Sequence, residues 1–312
     1  MTLQLCFTAS EDVFPLSPAI RDRYGPFGFP RHELMDRPYV SSNFVMGLDG
    51  RVSFRELRGR AGGKEVSRSI EDRWLMDFLR AHHDAQLMGA TTMREEPGLN
   101  REGWDFAIDD DELRRYRQET LKLDRQKIII ITGAGGMDFS LRLFNSPRVE
   151  PWILTTADTE PKLQSQINKA LLPSGAIRIV IVGEGAHVDL KAALKILRQD
   201  YGIQTLLCEG GPTLYGELLS RHLIDEEFRT ISLQVLGDST IPGIARPTPY
   251  GTLSYTPETA PWFTLVSIHY ALPYHAFFRY RYLGPRNFKT QRAQSSKQQP
   301  GSPFGAGVED IR

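Results

Sequence analysis

Short apolar runs recur through the middle of the chain, and Gly, Pro and polar residues separate them. Runs of this length are typical of strands that are buried on both faces of a parallel sheet. Two later stretches are rich in aromatic and β-branched residues, which indicates an antiparallel hairpin. We interpret as strands the residues 39–46, 84–89, 127–132, 152–155, 177–182, 206–208, 262–271 and 276–283.

Helical spacing of apolar residues fills two of the intervals between these strands. The first predicted helix follows Ser69, a favourable N-cap residue, and ends at His82. The second begins after Asp189, which is also a good N-cap, and ends before Gly202. Together with the strands before and after it, the second helix forms a βαβ unit, which we expect to be parallel and right-handed.

The turn after the strand at 206–208 has the features of an anion site. Gly210 and Gly211 let a ligand approach the backbone, because glycine has no Cβ. Pro212 suits the first position of a helix, whose free N–H groups would then lie just beyond the two glycines. Glu209 would face the crevice in which open α/β sheets bind ligands. On the two glycines alone, an ordinary strand–turn–helix connection is the simpler interpretation.

The two ends of the chain differ from its body in composition. Residues 1–35 carry several Pro and Gly residues, so we predict an irregular extension whose Phe side chains pack on the body. Residues 285–312 are rich in Gln, Ser, Lys, Gly and Pro, and we predict that they form a disordered tail. The sequence therefore predicts one α/β domain over residues 36–284.

Composition and charge exclude several classes of protein. The 312 residues include 38 Lys and Arg and 38 Asp and Glu, so no bulk charge attracts nucleic acid or a membrane surface. No signal peptide or membrane span is visible, and two cysteines give no disulfide framework, which favours the cytoplasm. We predict no metal site, since adjacent His82 and His83 do not share a helix face, and interpret the pair as a solvated helix end.

Several short motifs together resemble those of one enzyme family. They are Leu48-Asp49-Gly50, Arg80-Ala81 with Asp84-Ala85, Gly89 with Thr92, Glu209-Gly210-Gly211-Pro212, and Leu223-Ile224-Asp225-Glu226 before an alternating strand. In this order they resemble the reductase domain of riboflavin biosynthesis, which is the C-terminal domain of a bifunctional deaminase–reductase and stands alone in some organisms. The sequence motifs of a zinc deaminase are absent, so the resemblance is to the stand-alone form.

The resemblance implies a fold and an activity. The implied fold is similar to dihydrofolate reductase, a single three-layer α/β domain whose mixed, mainly parallel sheet is flanked by helices. The implied reaction is NADPH-dependent reduction of the ribosylamino side chain of a pyrimidine phosphate, as in 5-amino-6-(5-phosphoribosylamino)uracil reductase. It also implies a homodimer in which the aromatic hairpin of each subunit covers that of the other.

The resemblance further implies roles for individual residues. Asp49 and Glu209 are candidates for the catalytic proton donor, and a water molecule is an equal alternative. On the substrate side the implied residues are Asn43, Ser67, Arg80 and Arg101, of which the arginines suit a phosphate. On the cofactor side they are Gly89, Thr91, Thr92, Thr155, Thr156, Gly183, Gly210, Gly211 and Thr213.

Two departures from the family pattern keep alternatives open. Gly47 stands where the family has Ser or Thr, and residues 64–67 replace a Trp–Ile–(Ser/Thr) segment. One alternative is an oxidoreductase of the same fold that reduces a pterin or folate, and another is a non-catalytic relative that binds a nucleotide. For Arg80 the alternative to phosphate binding is a charge at a helix end, and for Arg101 it is a solvated loop charge.

Overall fold

The chain folds around one mixed sheet, as a computed structural model shows for residues 3–30, 35–55, 62–95, 105–173 and 175–285. The strands are β1 (Gln4–Thr8), β2 (Tyr39–Gly47), β3 (Ala85–Gly89), β4 (Gln126–Ile131), β5 (Val149–Thr155), β6 (Arg178–Ile181), β7 (Thr205–Cys208), β8 (Glu226–Ser232), β9 (Pro261–Ala271) and β10 (His275–Pro285). Their order in the sheet is β1-β9-β10-β8-β2-β7-β3-β4-β5-β6. The predicted fold class and all eight strands predicted from residue patterns are confirmed.

The helices flank this sheet on both faces. They are α1 (Pro18–Tyr24), α2 (Gly63–Ser67), α3 (Ile70–His82), α4 (Ala90–Glu95), α5 (Asp111–Arg115), α6 (Glu160–Lys169), α7 (Leu190–Gln199) and α8 (Pro212–Ser220). Helices α7 and α8 pack on one face, and α3 packs on the other. Within the described part of the chain, no helix is long and apolar enough to cross a membrane.

The two predicted N-caps explain where the long helices begin. The Ser69 hydroxyl accepts a hydrogen bond from the backbone N–H of Asp72 at 3.2 Å. The Asp189 carboxylate accepts from the N–H groups of Lys191 and Ala192 at 2.9 and 3.2 Å. These side chains satisfy N–H groups that have no partner within the first turn of a helix.

Seven neighbouring strands of the sheet, β8-β2-β7-β3-β4-β5-β6, run parallel. Their carboxyl ends therefore meet at one edge, where ligands bind in folds of this class. In the register of β2 and β7, Ser42 lies opposite Cys208. The next residue of each strand is Asn43 and Glu209, so the register brings these two predicted site residues to the same edge.

The N-terminal segment is more regular than its composition predicts. It contains strand β1, which pairs antiparallel with β9, and helix α1, which begins at Pro18 after the N-cap Ser17. The expectation of irregular chain is wrong for these two elements, because pairing and capping outweigh the scattered Pro and Gly. Aromatic side chains of this segment, Tyr24, Phe27 and Phe29, belong to the core that it shares with α3. The predicted tail from 285 onward lies, apart from Pro285, outside the described residues.

Arg279, which belongs to a buried ion pair within the sheet, also bonds the N-terminal segment. Arg279 of β10 and Glu226 of β8 are 1% and 0% exposed, with 2.6 Å between Nη2 and Oε2. The same guanidinium donates to the Gly28 carbonyl oxygen at 2.7 Å and to the Ser10 hydroxyl at 2.9 Å. Because a buried charge is tolerated only when it is paired and hydrogen-bonded, these bonds hold the segment in place.

His82 and His83 are buried, so their interpretation as a solvated helix end is wrong. The Nδ1–H of His82 donates to the Phe78 carbonyl oxygen at 2.7 Å, and that of His83 to the Leu79 carbonyl oxygen at 2.7 Å. Phe14 and Phe27 of the N-terminal segment pack against the His82 ring. Burial lowers the pKa of His82 to about 3, so the ring is neutral in the folded protein.

Acid should therefore destabilise the protein through His82. Its pKa is lower in the folded state than in the unfolded state, so its contribution to stability is present above pH 6.5 and is lost as the pH falls. At pH 5 the loss from this residue is about 2 kcal/mol. The measurement is urea unfolding at pH 7.5 and at pH 5. Between these two pH values, the free energy of unfolding of His82→Phe should fall by about 2 kcal/mol less than that of wild type. Equal losses in the two proteins would contradict this role for His82.

Candidate active site

An open cavity of about 2150 Å³ lies at the carboxyl ends of β2, β3, β4 and β7. Helices α2 and α3 line one side, and the start of α8 with the segment 245–253 lines another. Ten of the residues expected at the site line this cavity: Asn43, Ser67, Arg80, Gly89, Thr91, Thr92, Glu209, Gly210, Gly211 and Thr213. Residues from distant parts of the sequence thus meet at the edge that parallel strands are expected to use.

Neither glycine after β7 has a positive φ, and the space around Gly210 is tighter than the space around Gly211. Gly211 is the N-cap of α8, with φ −68° and ψ 178°, which most residues can adopt. A Cβ on Gly210 would lie 2.6 Å from Cδ2 of Leu214, and one on Gly211 would lie 3.3 Å from Oγ1 of Thr92. The Gly211 N–H donates to that same Thr92 oxygen at 3.0 Å. Because the Gly211 N–H is used by Thr92 and Pro212 has no N–H, the N–H groups that can bind an anion at this end of α8 are those of Thr213 and Leu214, which line the cavity.

Arg80 and Glu209 form an ion pair inside the cavity wall. Nε of Arg80 lies 3.1 Å from both carboxylate oxygens of Glu209, and Nη2 lies 2.9 Å from Oε2. The side chains are 2% and 10% exposed. Burial opposes the charge on Arg80, but the Glu209 carboxylate raises its pKa above the ordinary value. The Nε–H and one Nη2–H of Arg80 are thus directed to Glu209, while Nη1 has no hydrogen-bond partner among the described residues.

Asp49 does not line the cavity. Its carboxylate accepts hydrogen bonds from the backbone N–H groups of Leu236 and Gly237 at 3.3 and 2.6 Å, so the structure does not bring it together with Glu209, and its catalytic role stays a prediction. It joins the turn after β2 to the segment after β8, as a turn Asp commonly does. A Cβ on Gly47 would lie 2.4 Å from Cδ1 of Leu236, which explains why this position lacks the hydroxyl side chain of the family pattern.

Three residues expected to contact the cofactor also lie away from the cavity. Thr155 and Thr156 are fully buried, and the Thr156 carbonyl oxygen accepts from the N–H groups of Thr159 and Glu160 at the start of α6. The Gly183 carbonyl oxygen accepts from Ala157 N–H at 3.0 Å. These residues lie at the ends of β5 and β6, which are farther from β7 in the sheet than β3 and β4 are. Arg101, the remaining residue expected on the substrate side, lies outside the described residues.

Helix α3 contributes four lining residues that sequence reasoning missed, namely Ile70, Asp72, Arg73 and Met76. Asp72 and Met76 line the cavity together with Arg80, and the four-residue spacing places all three on one stripe of the helix. Opposite this stripe, the apolar residues of the same helix face the core. The helical period alone could have identified Asp72. By contrast, segment 245–253 has no periodic pattern that could have assigned it to the cavity.

Positive side chains exceed negative side chains on the cavity wall. Among the described residues, eight Lys or Arg line it, namely Arg51, Arg55, Lys64, Arg68, Arg73, Arg80, Arg221 and Arg246. Of the described Asp and Glu residues, four line it, namely Glu65, Asp72, Glu209 and Glu217. Such a wall attracts anionic ligands such as phosphates. Among the described residues, no group of three His, Cys, Asp or Glu side chains is placed to hold a metal ion.

Sequence comparison relates this chain to enzymes of one pathway. The sequence profile of the RibD C-terminal domain matches residues 38–249. A 2,5-diamino-6-ribosylamino-4(3H)-pyrimidinone 5′-phosphate reductase of Archaeoglobus fulgidus is 29% identical over 61% of this chain and 78% of its own length. The reductase of the same description from Saccharomyces cerevisiae is 26% identical over 65% of this chain and 75% of its own length.

Solved structures show the same fold. A pyrimidine reductase-like protein of Corynebacterium diphtheriae superposes with a TM-score of 0.63 at 18% identity, over 86% of this chain and 98% of its own. RibD of Acinetobacter baumannii superposes with a TM-score of 0.59 at 16% identity, over 80% of this chain. The present chain spans 59% of the length of that RibD chain.

Removal of Arg80 should be costly because it leaves the Glu209 carboxylate without its partner. We expect Arg80→Met to lower the free energy of unfolding by about 3–5 kcal/mol, and the added change Glu209→Gln to restore part of this loss. Arg21→Met is the control, since it removes an exposed pair with Asp12, and should cost less than about 1 kcal/mol. Urea unfolding of the four proteins measures this. A double variant no more stable than Arg80→Met would contradict the coupling.

Proposed function

The chain belongs to the family of the RibD C-terminal domain, and we propose that it is an NADPH-dependent reductase of riboflavin biosynthesis. Its substrate in this proposal is a 6-ribosylamino pyrimidine 5′-phosphate. The observation that carries the proposal is one cavity that combines the open start of α8 at Gly210 and Gly211 with the paired Arg80 and Glu209. A cofactor diphosphate and a phosphorylated sugar can both bind there.

The reaction converts the ring-opened sugar, as an imine between C1′ and the 6-amino nitrogen, to a ribitylamino group. Bound NADPH would supply the hydride that C1′ receives, with NADP⁺ as the other product, and one proton would be added to the nitrogen. Placement of the reacting groups supplies most of the acceleration in such a transfer. The N–H groups at the start of α8, around Thr213, would hold the cofactor diphosphate, while Gly210 and Gly211 keep side chains out of its path.

Glu209 binds the substrate in this proposal and does not deliver the proton. Its carboxylate accepts three hydrogen bonds from the Arg80 guanidinium, which makes it a poor proton donor but a fixed acceptor. Hydroxyl groups of the sugar can donate to it without displacing Arg80, because each carboxylate oxygen accepts more than one bond. The proton then comes from water, which reaches the open cavity.

We propose a homodimer in the cytoplasm, but for a reason other than an open hairpin edge. The outer edge of β9 is covered by β1 of the same chain. The face of the hairpin opposite the N-terminal segment instead carries the stacked pair Phe278 and Tyr280, both half-buried, with ring centroids 5.7 Å apart. A second subunit would cover this aromatic surface. A monomer in light scattering at micromolar concentration would contradict the proposed dimer.

The proposed function is tested by NADPH oxidation with 6-ribosylamino pyrimidine 5′-phosphates, assayed beside dihydrofolate. We expect turnover of a pyrimidine phosphate, with higher kcat/KM for NADPH than for NADH, and no turnover of dihydrofolate. Turnover of dihydrofolate alone would instead support the pterin alternative. If the protein binds NADPH but turns over neither compound, it is a non-catalytic relative.

Gly211→Ala tests the assignment of the diphosphate site. The backbone at this position accepts alanine, so the melting temperature should change little, while the added methyl group stands between the helix start and the phosphate. Each charge-assisted hydrogen bond lost costs about 1.5–3 kcal/mol, so NADPH should bind at least about tenfold more weakly. A fluorescence titration with NADPH measures the affinity. If the folded variant binds NADPH with wild-type affinity, the diphosphate does not bind at this turn.

A further inference from the structure

Helix α2 forms part of the cavity wall but is too short to hold its position by itself. It spans Gly63–Ser67, and Lys64, Glu65 and Ser67 line the cavity. A helix of five residues is unstable in isolation, because most of its backbone groups have no partner within it. It ends at Arg68, whose φ of 50° turns the chain out of the helix. The carbonyl groups of its last turn therefore need partners from other elements.

Two side chains outside α2 supply these partners. The Nε2–H of His275, at the start of β10, donates to the Ser67 carbonyl oxygen at 2.7 Å. The side-chain amide of Gln234, just after β8, donates to the Val66 carbonyl oxygen and, at 3.1 Å, to the Ser232 hydroxyl. Val66 is fully buried and Ser67 is 5% exposed, so water has little access to replace either donor.

The backbone holds the two donors next to each other. His275 lies opposite Ser232 in the antiparallel register of β8 and β10. Beyond this pair, the Leu233 N–H donates to the Tyr274 carbonyl oxygen at 2.8 Å, and Gln234 is the next residue of the chain. The end of the β8–β10 pair is thus a fixed frame that holds the C-terminal end of α2.

We propose that His275 and Gln234 are positioning residues for substrate binding and act by fixing α2. The proposal rests on the proposed function, in which the substrate binds on the side of the cavity that α2 and α3 line. Neither residue is among the described residues that line the cavity, so each acts through the helix and not by contact with the substrate. Ser67 is the link, because His275 holds its carbonyl oxygen and the residue itself lines the cavity.

The bond from His275 connects two parts of the chain that are not typical of the family. His275 lies beyond residues 38–249, which the family profile matches. Its partner Ser67 belongs to the segment 64–67, which departs from the family pattern. We therefore infer that the hairpin of this chain supplies the support that its altered substrate-side helix requires.

The test separates substrate binding from cofactor binding. His275→Phe keeps an aromatic ring but removes the donor. Its KM for a 6-ribosylamino pyrimidine 5′-phosphate should rise about tenfold, as expected when one hydrogen bond to a charged ligand is lost. Its kcat should stay within about twofold of wild type, because binding is lost equally from the ground state and the transition state. The KM for NADPH should not change. His275→Gln keeps an N–H donor and should restore most of the substrate affinity.

His269→Phe is the matched control. In the neighbouring strand β9, the Nε2–H of His269 donates to the Tyr24 carbonyl oxygen at 2.7 Å, but Tyr24 belongs to α1. This variant should lower the melting temperature and leave both KM values unchanged. An equal rise in substrate KM in the control, or no rise in His275→Phe, would overturn the proposal. If His275→Phe does not fold, Gln234→Met removes the other donor, and a wild-type substrate KM in that variant would also overturn it.

Hydrogen exchange separates this proposal from the proposed function, because it needs no turnover. In peptides that cover residues 62–69, exchange in His275→Phe should be about tenfold faster than in wild type, since local opening of α2 becomes easier. The His269→Phe control should exchange there at the wild-type rate. Wild-type exchange in His275→Phe would show that His275 does not fix α2, even in an active enzyme. If wild type turns over no pyrimidine phosphate, the proposed function fails, and the exchange rates still decide whether His275 holds the helix.

Discussion

The ion pair between Arg80 and Glu209 joins the helix and the sheet edge that together form the wall of the cavity. Arg80 lies on helix α3, and Glu209 follows strand β7, so one guanidinium fixes a helix against the edge of the sheet. Two buried charges lose much of their hydration energy, and their mutual bonds compensate only if the geometry is maintained. The position of α3, and with it Asp72 and Met76, is therefore coupled to the turn that begins α8.

Close packing imposes a second constraint on the same edge. Gly210 approaches Leu214, Gly211 approaches Thr92, and Gly47 approaches Leu236 so closely that a Cβ would meet each neighbour at 3.3 Å or less. The contact of Gly211 with Thr92 brings the end of β7 close to helix α4, and that of Gly47 with Leu236 brings the end of β2 close to the segment after β8. Glycine suits these three positions because a Cβ would be crowded there. None of the three has a positive φ, so a left-handed backbone conformation is not the reason.

Much of the fold could be predicted from the sequence because its determinants are local. Apolar runs located the buried strands, and Ser69 and Asp189 located the starts of two helices. The roles of site residues were harder to predict because they depend on partners far along the chain. Spacing placed Arg80 at the cavity but could not show that Glu209, 129 residues away, engages its guanidinium. His82 was misinterpreted for the same reason, since aromatic residues of the N-terminal segment enclose it.

Strand β1 also constrains the order in which the molecule can be assembled during synthesis. It is made before every other strand of the sheet, yet its partner β9 is made almost last. Gln4 pairs with Tyr270, and 270 minus 4 gives a separation of 266 residues. On the ribosome, the parallel part of the sheet can form while β1 still lacks its partner. The hydrogen bonds of Arg279 to Ser10 and Gly28 must then close loops of 269 and 251 residues, which is the slowest kind of contact to form.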